Sequence, residues 1–163
     1  FMQAKDLMIP EQDYLKPDDT LRDAVNLLKV AQRGEERVGV KGLTVLDEAG
    51  KLVGMLSMGD ILKSVHPTYM DLMNLGDFTW DGMLEETAKK IADKKVYTLM
   101  TKDVITVKED APLIDAVDHL IKRNVKRLPV IDKTGKVIGM LYERDVFFAI
   151  VKAMLNENTG GGE

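Results

Sequence analysis

A hydroxyl and a carboxylate three residues apart, Ser57 and Asp60, follow the apolar stretch Gly54-Met55-Leu56. The Asp60 carboxylate could accept hydrogen bonds from hydroxyl donors. The Ser57 hydroxyl, with the free N–H groups at the start of a helix, suits an anion. The same Ser-x-x-Asp spacing is also close to a capping box, which needs no ligand. The local pattern leaves both interpretations open.

The segment that carries this pattern occurs twice. Residues 42–61 align without gaps to residues 127–146, and about half of the aligned positions are identical. Upstream, Leu7-Met8 recurs as Leu99-Met100, and the first copy carries extra residues around 32–39. Self-similarity at a fixed spacing is the signature of a repeat architecture, so the chain is interpreted as two copies of one unit.

Each copy has the pattern strand, helix, strand, strand, helix. In the second copy the β-branched segment Val104–Val107 predicts a strand. Apolar residues from Leu113 to Ile121, spaced by three and four, predict a helix with one buried stripe. Two apolar strands around the turn at 133–135 predict a hairpin, and 146–155 predicts the closing helix. The fold class is therefore α+β, with two β-α-β-β-α repeats that we expect to pack around a pseudo-two-fold axis.

The predicted domains are repeat one (1–65), a helical connector (66–95), repeat two (96–155) and a disordered tail (156–163). The connector contains a predicted helix from Met83 to Lys94 and three aromatic residues, Tyr69, Phe78 and Trp80. Those rings either pack within the connector or form the surface of a homodimer, because aromatic residues are enriched in interface cores.

Composition excludes several classes of function. The net charge of -4 argues against nucleic acid as a partner. No apolar run approaches the roughly 20 residues that span a bilayer, and the N-terminus does not resemble a signal peptide, so we expect no membrane partner and a cytoplasmic protein. There is no cysteine, and the two histidines, His66 and His119, have no metal-ligand spacing. We expect no metal, no catalytic residue and no enzyme activity.

The Met-Thr pair at 100–101, VITV, the following helix, VKRLPVID and KVIGMLYERDV together resemble the CBS domain, named after cystathionine β-synthase. Two in tandem look like a Bateman module, and the resemblance runs from about Lys5 to Val151. It implies a regulatory module, usually a homodimer, that senses AMP, ADP, ATP or S-adenosylmethionine in clefts between repeats and signals to a regulated protein by changing shape. The alternative is a structural or protein-interaction module with empty clefts.

The resemblance also implies site residues. The family's ribose and phosphate motif is intact in repeat one, with Ser57 and Asp60. Repeat two keeps Asp145 but has Tyr142 in place of the hydroxyl residue, and Tyr142 could stack on a base or fill the cleft. We therefore expect the two sites to bind nucleotide unequally.

Basic residues before the second strand of each repeat correspond to phosphate ligands of the family. These are Lys126 and Arg127 in repeat two, and Lys41 alone in repeat one. They could equally be solvated charges that protect a sheet edge. Thr101 and the backbone near Ile105 match family positions that meet the ribose and the base.

Overall fold

The computed structural model of the protein describes residues 2–11, 13–31, 42–74 and 80–155. The chain divides into two compact units. Unit one is residues 13–103, and unit two is residues 1–12 together with 104–163. The predicted tail, 156–163, lies outside the described residues.

Short strands and helices alternate along the described parts of the chain. Their bounds are α1 (Ala4–Leu7), β1 (Ile9–Pro10), β2 (Tyr14–Leu15), α2 (Leu21–Ala31), β3 (Gly42–Leu46), β4 (Leu52–Ser57), α3 (Met58–Met73), α4 (Met83–Ala92), α5 (Val96–Leu99), β5 (Val107–Lys108), α6 (Leu113–Arg123), β6 (Arg127–Ile131), β7 (Val137–Tyr142) and α7 (Glu143–Met154).

Unit one is built on a sheet with strand order β2-β3-β4. Strand β2 runs parallel to β3, and β3 and β4 form an antiparallel hairpin. Helix α2 buries Leu21, Ala24 and Leu28, whose three- and four-residue spacing gives it one apolar stripe. Ile91 of α4 belongs to the same core cluster. The predicted connector therefore contributes a helix to the core of unit one.

Unit two repeats this plan with one additional strand, in the order β1-β7-β6-β5. Strands β5 and β6 are parallel, and β6 and β7 form the antiparallel hairpin. The core contains Ala116 and Leu120 from α6, Leu128 and Leu141 from the hairpin, and Val146 from α7. These elements confirm the α+β prediction.

The N-terminal segment of each sequence repeat belongs to the compact unit of the other repeat. We call these two segments, which contain α1 and α5, the leading segments. Ala4 of α1 lies in the core of unit two, and its N–H donates to the Ala111 carbonyl at 2.8 Å. Val96 of α5 lies in the core of unit one, and its N–H donates to the Asp19 carbonyl at 2.7 Å. The two compact units are therefore not the two continuous stretches that the sequence repeats suggest.

Several element bounds differ from the sequence prediction, and α4 ends at Ala92, two residues before the predicted Lys94. The strand predicted at 104–107 forms pairs at Val107 and Lys108, opposite Val130 and Ile131. Helix α3 continues past residue 65 to Met73. Helix α7 begins three residues before 146, and the Glu143 N–H donates to the Lys126 carbonyl at 2.9 Å. Within the described residues, the structure shows no helix with both the length and the apolar character needed to cross a bilayer.

Two carboxylates, Asp23 and Asp132, hold local turns and have lowered pKa values. The Thr20 N–H donates to Asp23 at 2.9 Å, and this backbone hydrogen bond is the main cause that lowers the pKa of Asp23. The Thr134 hydroxyl donates to Asp132 at 2.6 Å and is the main cause that lowers the pKa of Asp132. Asp23 is exposed and Asp132 half-buried, and screening by solvent keeps each effect on stability small.

A lowered pKa in the folded state means that each ionised carboxylate stabilises the fold above its unfolded pKa, near 4, and that this contribution is lost as the pH falls. We expect the free energy of unfolding to decrease between about pH 5 and pH 3. The double variant Asp23→Asn with Asp132→Asn should show a shallower decrease in urea denaturation series. Glu85→Gln, on the exposed face of α4, serves as the control, and an equal slope in all three proteins would contradict the assignment.

Candidate functional site

Ser57 and Asp60 meet at the junction of β4 and α3. The Ser57 N–H donates to Asp60 Oδ2 at 2.9 Å, and the Ser57 hydroxyl donates to the same oxygen at 3.1 Å. The Asp60 N–H lies 3.2 Å from Ser57 Oγ, which accepts from it. Both residues are half-buried. This is a reciprocal helix cap, as one interpretation of the sequence predicted.

The cap at Ser57 has a counterpart elsewhere in unit one. At the start of α2, Thr20 and Asp23 make the same three contacts, at 2.9, 3.1 and 3.2 Å. The Ser57 contacts are thus those of a helix cap. Any further role of Asp60 must rest on its other carboxylate oxygen.

That second oxygen, Asp60 Oδ1, accepts a hydrogen bond from the Thr101 hydroxyl at 2.9 Å. Thr101 is held there by its backbone, because its N–H donates to the Met55 carbonyl at 2.8 Å and its carbonyl accepts from the Met55 N–H at 2.9 Å. Three predicted site residues, Ser57, Asp60 and Thr101, therefore lie together in unit one.

Close approach of the Thr101 segment requires a glycine in β4. A Cβ atom built on Gly54 would lie 2.5 Å from the Met100 sulfur and 2.9 Å from the Thr101 carbonyl oxygen. Gly139 has the same role in unit two, where a Cβ would lie 2.5 Å from the Met8 sulfur and 2.8 Å from the Ile9 oxygen. The glycine of each repeat thus allows a second backbone segment to cross the strand in contact with it, which we call the backbone crossing. This role is additional to the place of the glycine in the ligand motif.

Unit two duplicates this backbone arrangement with different side chains. Ile9 pairs with Met140 as Thr101 pairs with Met55, so an isoleucine occupies the position of the Thr101 hydroxyl. Tyr142 caps α7 without a side-chain hydrogen bond to the helix. Among residues 2–11, 13–31, 42–74 and 80–155, no donor or cation is found within bonding distance of the half-buried Asp145 side chain. The first-turn aspartates of the two units therefore differ in their surroundings.

Two of the predicted phosphate ligands, Lys126 and Arg127, lie at the start of β6 in unit two. Arg127 and Tyr142 are direct partners across the β6–β7 ladder, and both are half-buried. Lys126 is exposed and precedes Arg127 at the start of β6. Ile105 packs against the core of unit two. Lys41 lies outside the described residues.

This chemistry is suited to binding a polar ligand. Carboxylates accept hydroxyl donors, and Lys126 and Arg127 offer cationic donors to an anion. Within the described residues, no group of three or more His, Asp or Glu side chains could hold a metal ion. His119 Nε2 lies 3.5 Å from Asp115 one turn earlier on α6, which is a surface helix contact.

Helix α7 presents an apolar face to solvent. Phe147 is 56% exposed and Phe148 52%, and their rings meet edge to face with centroids 5.3 Å apart. A groove of about 330 Å³ between α6 and α7 is lined by Phe147, Ile150 and Ile121 among others. Of the connector aromatics, Trp80 is 68% exposed, whereas Phe78 and the Tyr69 side chain lie outside the described part of the chain.

The chain contains two mixed sheets, and each is followed by a helix with an aspartate in its first turn. This arrangement is that of an α+β unit repeated twice in tandem. The family model of the CBS domain matches residues 4–67 and 88–152. The chain belongs to the CBS domain family, which confirms the resemblance found in its sequence.

Similar proteins extend over most of the chain. It is 32% identical over 162 residues to the uncharacterized protein MJ1426 of Methanocaldococcus jannaschii, covering 92% of each. The crystal structure of CBSX2 in complex with AMP superposes with a TM-score of 0.66 at 30% identity, covering 93% of this chain and 98% of that chain. CBSX2 is a CBS-pair protein of Arabidopsis thaliana.

Some relatives are longer than this chain. The chain spans 63% of the curated chloroplastic CBSX2. It also matches 23% of the inosine-5'-monophosphate dehydrogenase of M. jannaschii, at 28% identity over 144 residues. CBS repeats like these therefore occur as one part of a larger enzyme.

The Gly54 contact predicts the result of adding one methyl group. Gly54→Ala would push against the Thr101 carbonyl and should lower the free energy of unfolding by about 1 to 3 kcal/mol in urea denaturation. Gly59→Ala is the matched control, because its Cβ would lie 3.6 Å from Ser57 Oγ in ordinary contact. That variant should leave stability unchanged or raise it by up to about 1 kcal/mol. Equal effects of the two substitutions on the free energy of unfolding would mean that the Thr101 segment does not contact Gly54 as described.

Proposed function

We propose that this chain is a regulatory, non-catalytic module that binds an adenine nucleotide, with AMP as the first candidate. The observation that carries the proposal is the Asp145 carboxylate, half-buried and without a donor in the described structure. Its oxygens are not among the buried polar atoms without a hydrogen bond in the described residues, so they are open to solvent and the hydroxyl groups of a ligand can donate to them. The 30% identity to CBSX2, whose structure holds AMP, supports the choice of ligand.

In this proposal the polar groups of the nucleotide are divided among named side chains. In unit two the ribose hydroxyls donate to Asp145, and the phosphate accepts from Arg127 and Lys126. In unit one Asp60 is the corresponding acceptor for ribose hydroxyls. Tyr142, beside Arg127 in the ladder, offers a ring on which a base can stack. ADP, ATP and S-adenosylmethionine share the adenosine group and remain candidates.

Regulation follows if nucleotide binding favours one of two arrangements of the module. The protein that responds to this change of arrangement is a separate partner or another domain of a larger chain. The match to part of a dehydrogenase supports such a role beside an enzyme.

A second candidate function is a protein-interaction module without a nucleotide. The exposed apolar face of α7 favours it, because contiguous exposed apolar surface marks interaction sites. Thermal melts with AMP, ATP, NADH and S-adenosylmethionine separate the two. A ligand present at about one hundred times its dissociation constant adds roughly 2.7 kcal/mol of stability, and an interaction module gains none.

The two aspartates should contribute unequally to AMP binding. Asp145→Ala removes an acceptor that has no competing donor in the described structure, and should weaken binding by more than about tenfold, equivalent to roughly 1.5 to 3 kcal/mol. Asp60→Ala should cost less affinity, because Asp60 already holds Ser57 and Thr101. Titration calorimetry measures both.

Asp23→Ala is the control for this comparison, because it removes an identical helix cap on α2. It should lower stability by about 1 kcal/mol and leave AMP affinity unchanged. If wild type and all three variants bind AMP equally, none of these aspartates contacts the nucleotide, and the assignment of the ribose to Asp145 and Asp60 fails.

We also propose that two copies associate through the α7 face of unit two. The apolar groove between α6 and α7 and the exposed Phe147 support this. Light scattering should give twice the 18.2 kDa of one chain. Phe147→Glu should shift the mass toward one chain. Tyr14→Glu, at an exposed aromatic of unit one, should not. A wild-type mass of one chain across micromolar concentrations would refute the dimer.

A further inference from the structure

Most of the acceptor capacity of Asp60 is already used within unit one. An ionised carboxylate offers about four lone-pair sites on its two oxygens. Three donors occupy Asp60: the Ser57 N–H and hydroxyl on Oδ2, and the Thr101 hydroxyl on Oδ1. A ribose brings two hydroxyls. Asp60 can therefore accept both of them only after one of these three donors leaves.

Thr101 is the donor whose release perturbs the fold least. Both Ser57 groups belong to the cap of α3, so their loss would free backbone N–H groups at the helix start. The Thr101 side chain makes a single bond to Asp60, while its backbone is fixed separately by Met55. Rotation of the Thr101 hydroxyl away from Asp60 therefore leaves both the cap and the backbone pairing in place.

Unit two shows the same site without this donor. Ile9 occupies the Thr101 position, with the same pairing to the strand and the same contact over a glycine. The Asp145 oxygens have no donor from the described residues. Since the backbone is duplicated and the hydroxyl is not, the difference between the two carboxylates resides in one side chain.

We propose that Thr101 is a specificity-determining residue that competes with the ribose for Asp60, so that a cis-diol binds Asp145 directly but binds Asp60 only by displacing Thr101. This inference rests on the proposed function, in which the two aspartates bind the ribose of an adenine nucleotide. It assigns Thr101 a role opposite to that of a ligand contact: its hydroxyl lowers the affinity of unit one for the nucleotide.

The test uses the full chain in an Asp145→Ala background, which isolates unit one. Thr101→Val removes the hydroxyl and keeps the shape, and should raise AMP affinity by about two- to tenfold in titration calorimetry, or bring it into measurable range. Affinity for 2'-deoxy-AMP, which offers one hydroxyl of the diol, should rise less. Thr101→Ser keeps a hydroxyl and should behave like the parent. An unchanged or lowered AMP affinity in Thr101→Val overturns the proposal.

The reciprocal change is made in unit two, in an Asp60→Ala background. Ile9→Thr places a hydroxyl at the matching position and should lower AMP affinity by a similar factor. Ile9 is 41% exposed, so the substitution removes little buried surface. A rise in affinity would instead mean that a hydroxyl here contacts the ligand, and no change would mean that it does not compete. Either result overturns the proposal.

Failure of the proposed function has a different outcome. If wild type binds no AMP, no 2'-deoxy-AMP and no other adenine nucleotide, both proposals fall together. If wild type binds AMP and loses affinity in Asp145→Ala, while Thr101→Val and Ile9→Thr have no effect, the proposed function stands and the role of Thr101 is refuted. Circular dichroism and thermal melts of each variant confirm that it is folded.

Discussion

The backbone crossing of a leading segment over a glycine is the constraint on which the rest of each unit depends. In unit one, Thr101 and Met55 exchange two hydrogen bonds, of 2.8 and 2.9 Å, directly above Gly54. This contact places the residues after α5 beside the start of α3. It therefore decides what surrounds the Asp60 carboxylate. A side chain at position 54 would separate the two segments, and the hydroxyl of Thr101 would no longer reach Asp60.

The duplicated unit shows how little side-chain change is needed to alter a site. Ile9 over Gly139 reproduces the crossing, and Asp145 occupies the first turn of α7 as Asp60 does in α3. What differs is the chemistry at two neighbouring positions, where Ser57 and Thr101 are replaced by Tyr142 and Ile9. Two sites with the same backbone therefore present an aspartate with three donors and an aspartate with none among the described residues.

Much of the secondary structure could be predicted because its signals are local. The stripe of α6, the β6–β7 hairpin around Gly135 and the internal repeat are all visible in neighbouring residues. The partner of a two-residue strand cannot be predicted from neighbouring residues, because backbone pairing leaves little trace in side-chain identity. Thr101 was expected near a ribose from the family resemblance, yet its bond to Asp60, 41 residues earlier, required the structure. The alignment of Leu7-Met8 with Leu99-Met100 already contained the signal that Ile9 corresponds to Thr101.

The exchange of leading segments makes unit one continuous in sequence and unit two discontinuous. Residues 13–103 contain all of unit one, so its core can close while the later part of the chain is still being synthesised. Unit two joins residues 1–12 to a segment that begins at 104, and contacts of such large sequence separation form slowly. During that interval the apolar side of α1 has no partner. Residues 1–12 of one chain could then pair with the segment after residue 103 of a neighbouring chain. Folding of this protein is thus expected to be ordered, with unit one closing first and residues 1–12 joining the segment after residue 103 later.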